Sequence, residues 1–245
     1  MAHIKGPGMF YVNSVISRKD IMDYDTFMKW YDDDHIAEIM ETSGISDAFR
    51  YIDNDAESSK PYLAFYPMPD VAFTQGEEFK KIRVKSELLP GSQMCFDLAD
   101  FDARIYGLTA KVGSRDGVAS TLFVTAIEPG TGSPDAEVER WFEGGLQDAV
   151  SKIPGFKRTT RYKLLYARTN AQSRALGNLP TTDEAPPEPP SWAAVHEFDR
   201  EVDASSIEAV KSAGQALAIL GSAKQVEFVT YRLAKAHGGK GFFDG

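Results

Sequence analysis

A stretch of sequence around Trp30 returns around Trp141. Trp30-Tyr31 is followed by Gly44 and Arg50-Tyr51, and Trp141-Phe142 by Gly155 and Arg161-Tyr162, at a constant offset of 111 residues. A chain built this way reads as two copies of one module, which narrows its folds to those that pair two like halves. The copies differ where chemistry could live: Asp33-Asp34-His35 in the first is Gly144-Gly145-Leu146 in the second. Chemistry that needs a histidine there belongs to the first copy alone.

Within each copy the hydrophobic period switches between that of a strand and that of a helix. Met9 to Ile16 and Thr121 to Ile127 follow the breakers Gly6-Pro7-Gly8 and Gly113 to Gly117, and read as first strands. Phe27, Trp30 and Tyr31, then Val138, Trp141 and Phe142, recur at helical spacing, the latter helix opened by Ser133-Pro134. Ala48 to Ile52 and Thr159 to Leu164 read as second strands, Tyr62 to Tyr66 and Trp192 to His196 as third strands. The third strands are offset by 130, so the second copy carries 19 extra residues. Capping signals at Thr74 to Glu77 and Ser205 to Glu208 open second helices, and last strands run around Arg104 to Tyr106 and Val229 to Tyr231.

The order β-α-β-β-α-β is that of a ferredoxin-like unit. The expected fold is therefore α+β: tandem ferredoxin-like repeats, residues 1–112 and 113–236, covering each other sheet to sheet as an α+β barrel with helices outside. Residues 166–191 form the insertion; its end holds five prolines and three acidic residues. It reads either as an extension outside the core or as a lid over a cavity. The glycine-rich residues 237–245 read as a flexible tail.

A net charge of -9 argues against nucleic acid or an anionic membrane as partner. No apolar run approaches the ~20 residues of a membrane span, and the N-terminus lacks a signal-peptide core. A single cysteine, Cys95, gives no intrachain disulfide, favours a cytoplasmic location and reads as a buried structural thiol. The four histidines show no HxH or HxxxH spacing, and there is no CxxC, GxGxxG or Walker loop. No metal and no cofactor are expected, although one axial ligand would suffice for haem. The expected partner is a small molecule, with a homodimer left open.

The repeated pattern, with Trp30-Tyr31-Asp32-Asp33-Asp34-His35, Phe49-Arg50-Tyr51 and Asp102-Ala103-Arg104-Ile105-Tyr106, resembles the EthD-like branch of the dimeric α+β barrel superfamily in its two-copy fungal form. The resemblance covers about residues 9–110 and 119–234. It implies a cavity for a small, flat, often phenolic molecule. The superfamily includes cofactor-free monooxygenases, polyketide cyclases, dehydratases, decarboxylases, lactone isomerases and haem enzymes, so it implies a fold more than a reaction.

Strand alternation sorts the candidate site residues, with the wholly apolar face of each strand placed under the helices. On that rule Tyr11, Asn13, Arg50, Tyr62, Tyr66, Arg104 and Tyr106 face the barrel interior from the first half. Phe123, Thr125, Arg161, Trp192, His196 and Tyr231 match them from the second. A lining of tyrosine and arginine suits a phenolic or anionic ligand. His35 is the first candidate for acid/base work, with Asp34 orienting it, and His196 and Arg50 complete the catalytic set. Tyr11, Asn13, Tyr62, Tyr66, Arg104, Tyr106, Arg161 and Tyr231 are the substrate-binding candidates. The expected function is cofactor-independent lyase or isomerase chemistry through an enolate, on an aromatic or polyketide-like intermediate. Two readings compete with it: cofactor-free oxygenation of a phenol, and a non-catalytic binding or stress-responsive barrel.

Overall fold

In the computed structural model, which describes residues 3–114, 117–213 and 219–239, the strands close into one ring, a block of four from each half of the chain. The first half supplies β1 (Gly8–Ile16), β2 (Asp47–Asp53), β3 (Tyr62–Met68) and β4 (Ala99–Gly113). The second supplies β5 (Thr121–Glu128), β6 (Phe156–Arg168), β7 (Trp192–Phe198) and β8 (Gln225–Gly238). They hydrogen-bond in the order β1-β3-β2-β8-β5-β7-β6-β4, with antiparallel neighbours. The run β4-β1-β3-β2 is thus followed by β8-β5-β7-β6, the same order in both halves. The β2–β8 and β4–β6 ladders join the halves and remove the sheet edges.

The helices lie outside: α1 (Tyr24–Trp30), α2 (Ile36–Met40), α3 (Glu77–Lys80), α4 (Cys95–Leu98), α5 (Asp135–Trp141), α6 (Gln147–Val150), α7 (Asn170–Leu176) and α8 (Ala204–Ser212). Asp23 caps α1, its carboxylate accepting from the Thr26 N–H at 2.8 Å. The cap position of α5 falls on Pro134, one residue after the expected Ser133. A five-residue π turn joins α1 to α2 at Tyr31–His35, and another joins α5 to α6 at Phe142–Leu146, again 111 residues apart. Because the turn also forms where leucine stands at the equivalent position, it does not depend on His35.

The barrel interior is filled. Met9, Tyr11, Phe49, Tyr51, Leu63, Phe65 and Tyr106 meet Leu122, Val124, Tyr162, Val195 and Tyr231 there, all buried. Each such side chain contributes on the order of 2 kcal/mol by leaving water. The expected interior cavity is therefore absent, and several face assignments are reversed. Tyr11, Asn13, Tyr106 and Tyr231 point inward as expected. Arg50 and Arg161 lie on the helix side, with Tyr51 and Tyr162 inward. Tyr62, Tyr66, Trp192 and His196 also lie on the helix side, as do Phe123 and Thr125. The physical reason is that β2 and β3 are buried on both faces, so alternation separates the two sets without telling which is inside. The tail expectation also changes, because β8 runs through Gly238 and His237 Nε2 lies 3.1 Å from Asp32. Residues 240–245 of that tail lie outside the described residues.

Candidate functional site

A hollow lies on the other side of the sheet, between the first half's strands and its helices. It is a cavity of about 660 Å³, within the usual size range of small-molecule sites. Its floor is the outer face of the sheet: Phe10 and Val12 of β1, Tyr66 of β3, Ala103 and Ile105 of β4. The bent helix contributes Trp30, Tyr31 and His35, and Phe79, Ile82 and Val84 close a second side. The insertion covers it, with Tyr166, Arg168, Ser173, Leu176 and Leu179 in the wall.

The insertion is thus not a loose extension. Tyr166 and Arg168 are the end of β6, and α7 follows at once. Thr169 and Gln172 form a reciprocal capping box that starts this helix, and Arg174 pairs with Asp97 of α4.

His35 is held by stacking. Its ring lies 5.0 Å from that of Trp30 at 21° and 5.6 Å from that of Tyr31 at 87°. The π turn permits this, since its wider i→i+5 winding brings Trp30 and His35, five residues apart, over one another. Burial pushes the imidazole pKa down to about 4, against smaller raising effects of the Arg83 backbone and Asp34. His35 is therefore neutral at pH 7, and its Nδ1 is buried with no hydrogen-bond partner. The Tyr66 hydroxyl is also buried, beside Tyr31, and burial first, then neighbouring Tyr31, holds its pKa well above the usual tyrosine value. Cys95 is also in the wall, with its thiol pushed up to about 12 by burial, so it stays protonated.

The other sequence candidates lie elsewhere. Asp34 faces outward and accepts from Arg83 at 2.9 Å, so it tethers the rim rather than orienting the imidazole. Arg50 is clamped by Asp32 at 2.5 and 2.6 Å and rests on the Met28 sulfur. Burial alone would raise the Asp32 pKa, but hydrogen bonds from His237, Arg50 and Lys235 hold it far below the usual range. His196 sits in the other half, fully buried between the hydroxyls of Thr125 and Thr159 at 3.2 and 2.9 Å. Arg161 reaches Glu143 at 3.5 Å. Arg104 pairs with Asp102 and Glu227 and lies 5.9 Å over the Tyr11 ring, at the end of the barrel interior. Tyr11 and Tyr231 bring their hydroxyls to 3.3 Å within that interior, Asn13 lies on the same face, and Tyr106 donates to the Pro190 carbonyl. Tyr62 packs on Tyr24 and Phe27. The structure thus brings His35 and Tyr66 together in one cavity and places the remaining candidates in the frame.

The matching space in the second half is occupied by Phe123, Trp141, Phe142, Leu146 and Trp192. His196 stands at the position of Tyr66, and Leu146 at that of His35. Sequence reading missed Arg168, whose guanidinium lies 5.4 and 5.7 Å over the Phe10 and Phe79 rings. The available signal was the continued strand pattern of Leu164 to Arg168 ahead of the Thr169 cap. Among the described residues no group of three or more His, Cys, Asp or Glu side chains is placed to hold a metal. Among them, too, no helix is long and apolar enough to cross a membrane.

A mixed α+β fold, with an eight-stranded closed antiparallel barrel and one cavity under the first half's helices, defines the class to which this chain compares. No protein-family profile matches it. It is 25% identical over 179 residues to core atranone cluster protein 1 of Stachybotrys chlorohalonatus, covering 71% of this chain and 74% of that protein. Among solved structures it is similar to an anthrone oxidase-like protein, with TM-score 0.55, 15% identity, and coverage of 94% and 93%. It is similar also to a putative monooxygenase from Fusobacterium nucleatum, with TM-score 0.51, 12% identity, and coverage of 98% and 97%. At these identities the structural likeness establishes the α+β barrel fold.

Proposed function

We propose that the cavity is an active site in which His35 removes a proton from a small aromatic or polyketide-like molecule of a natural-product pathway. The observation that carries this is His35 itself: a neutral imidazole with an unpartnered nitrogen in the wall of a largely apolar cavity. A buried acceptor left unpaired costs roughly 1–3 kcal/mol, which a donating ligand removes. Loss of a proton from a carbon next to a carbonyl leaves an enolate, and the Tyr66 hydroxyl beside Tyr31 supplies a hydrogen bond to that oxyanion. Dehydration, decarboxylation or ring closure then completes a lyase or isomerase reaction. The matched strand order of the halves and the 111-residue offset support reading the chain as two fused ferredoxin-like units of the EthD-like, two-copy type.

A second reading shares the first step. The names of the similar structures, anthrone oxidase-like protein and putative monooxygenase, favour an enolate or phenolate that reacts with molecular oxygen instead. Anthrone is a suitable probe for both. In deuterated buffer without oxygen, proton abstraction is expected to exchange its methylene hydrogens faster than buffer alone, and His35→Gln to remove that acceleration. Admitting oxygen separates the readings: an oxygenase consumes one dioxygen per anthrone oxidised to anthraquinone and water, whereas a lyase or isomerase consumes none beyond the background. No acceleration of exchange, together with an unchanged metabolite profile in a strain carrying His35→Gln, removes the catalytic reading.

A further inference from the structure

The charged side chains in the cavity wall are Lys80, Arg83 and Arg168, and no carboxylate is among the lining residues. A wholly cationic lining is unexpected in a chain of net charge -9. Two of the three are already engaged at the rim, Lys80 with Glu77 at 2.7 Å and Arg83 with Asp34 and Glu38 at 2.9 and 3.2 Å. Arg168 is different. It has no carboxylate partner among the described residues, and its Nε is buried without any hydrogen-bond partner.

The four buried arginines set the standard for this protein. Arg50 meets Asp32, Arg104 meets Asp102 and Glu227, Arg158 meets Glu197 and Arg161 meets Glu143. A guanidinium remains charged at any relevant pH, and holding one away from water without a counter-ion is unfavourable. Stacking on Phe10 and Phe79 fixes its plane and offsets part of that cost. It leaves the Nε–H unmatched, and Nε–H together with a terminal N–H is an edge on which a guanidinium grips a carboxylate with two parallel bonds.

The sheet register sets where such an anion sits. Arg168 pairs with Ala103 of β4, Ala103 with Val12 of β1, and the neighbouring Phe10 of β1 with Tyr66 of β3. Strands β6 and β3 are therefore three steps apart, about 14 Å between backbones at the usual strand spacing. Arg168 and Tyr66 reach in from opposite ends of one floor, with the Phe10 ring between them, 5.8 Å from that of Tyr66.

We propose that Arg168 is a specificity-determining residue that anchors a carboxylate on a fused-ring aromatic ligand, leaving the opposite end of the ring system at His35 and Tyr66. This rests on the reading of the cavity as the site of proton abstraction, and it names the substrate class: an aromatic or polyketide-derived acid rather than a neutral phenol. The anchor fixes which carbon meets the imidazole. It explains why α7 follows Arg168 so closely, since that helix roofs the space that the acid occupies.

The test is calorimetric binding of naphthoate and of its neutral amide, naphthamide, to the full chain. Wild type is expected to prefer the acid by on the order of tenfold or more, as charge-assisted hydrogen bonds do. Arg168→Met, which keeps the length and the packing on both phenylalanines, is expected to remove the preference and to leave naphthamide affinity within about threefold. Arg168→Lys is expected to keep part of it. His35→Gln is expected to keep all of it while losing anthrone exchange, so failure of the catalytic reading and failure of the anchor give different results. Equal affinity of wild type for acid and amide, no binding of either at the solubility limit, or a preference that survives Arg168→Met overturns the proposal.

Discussion

At the scale of single residues, burial drives both internal histidines to the neutral form, with different consequences. His196 is pushed to about 3 by burial and His35 to about 4. An unfolded chain takes up these two protons near pH 6.5, whereas the folded chain resists until pH 3–4. The unfolded state therefore binds more protons throughout that window, and stability falls as pH drops from 6.5 towards 4. Urea unfolding at a series of pH values should show this slope, and His196→Gln should flatten part of it; an unchanged slope would show that His196 titrates normally. For His35 the same shift predicts that the acid limb of kcat/KM in anthrone exchange lies near pH 4 and not near 6.5. The imidazole was legible in the sequence because the repeat breaks at His35. The role of Arg50 was not, because its partner Asp32 lies in an acidic run that reads as a solvated turn, and only the closed ladder brings His237 and Lys235 to it.

Among the elements, positions 111 residues apart keep their geometry even where the local reason differs. Gly44 and Gly155 are equivalent in sequence. At Gly44 a Cβ would lie 2.1 Å from the Phe73 ring, whereas Gly155 adopts φ +87°, a conformation that favours glycine. The insertion shows the limit of composition. Its five prolines signal irregular chain, and they conceal a seven-residue helix just upstream, too short for a clear hydrophobic period. What stabilises α7 is local: the Thr169 hydroxyl caps its first turn, and the Gln172 side chain accepts from the Thr169 N–H at 2.8 Å. Removing such a cap costs about 1 kcal/mol. Thr169→Ala should therefore speed proteolytic nicking within residues 170–190 several-fold and leave the global Tm within a few degrees. A fall in Tm with no change in local nicking would mean that α7 is part of the main cooperative unit.

For the whole molecule, the matched spacing of elements was readable and the side of the sheet carrying the cavity was not. The 111-residue offset recovers α1, α5 and both π turns, and the 130-residue offset recovers β3 and β7. Placing the apolar face under the helices works for β1, whose Phe10 and Val12 are indeed there. It fails for β2, because Arg50 is drawn to the helix side by Asp32 while Phe49 and Tyr51 fill the interior. That interior is shared property. Tyr11, Tyr51, Phe65 and Tyr106 pack against Leu122, Val124, Tyr162 and Tyr231, and the β2–β8 and β4–β6 ladders supply the only hydrogen-bonded joins between the halves among the named strands. A separated half would expose one face of its sheet and two unpaired edges. Fragments 1–114 and 115–245 are therefore expected to be unfolded or self-associated when alone, and to form a one-to-one complex with far-UV dichroism close to the intact chain when mixed. Light scattering after gel filtration decides the matter. If either fragment behaves as a cooperatively folded monomer, the closed barrel is not the unit of stability.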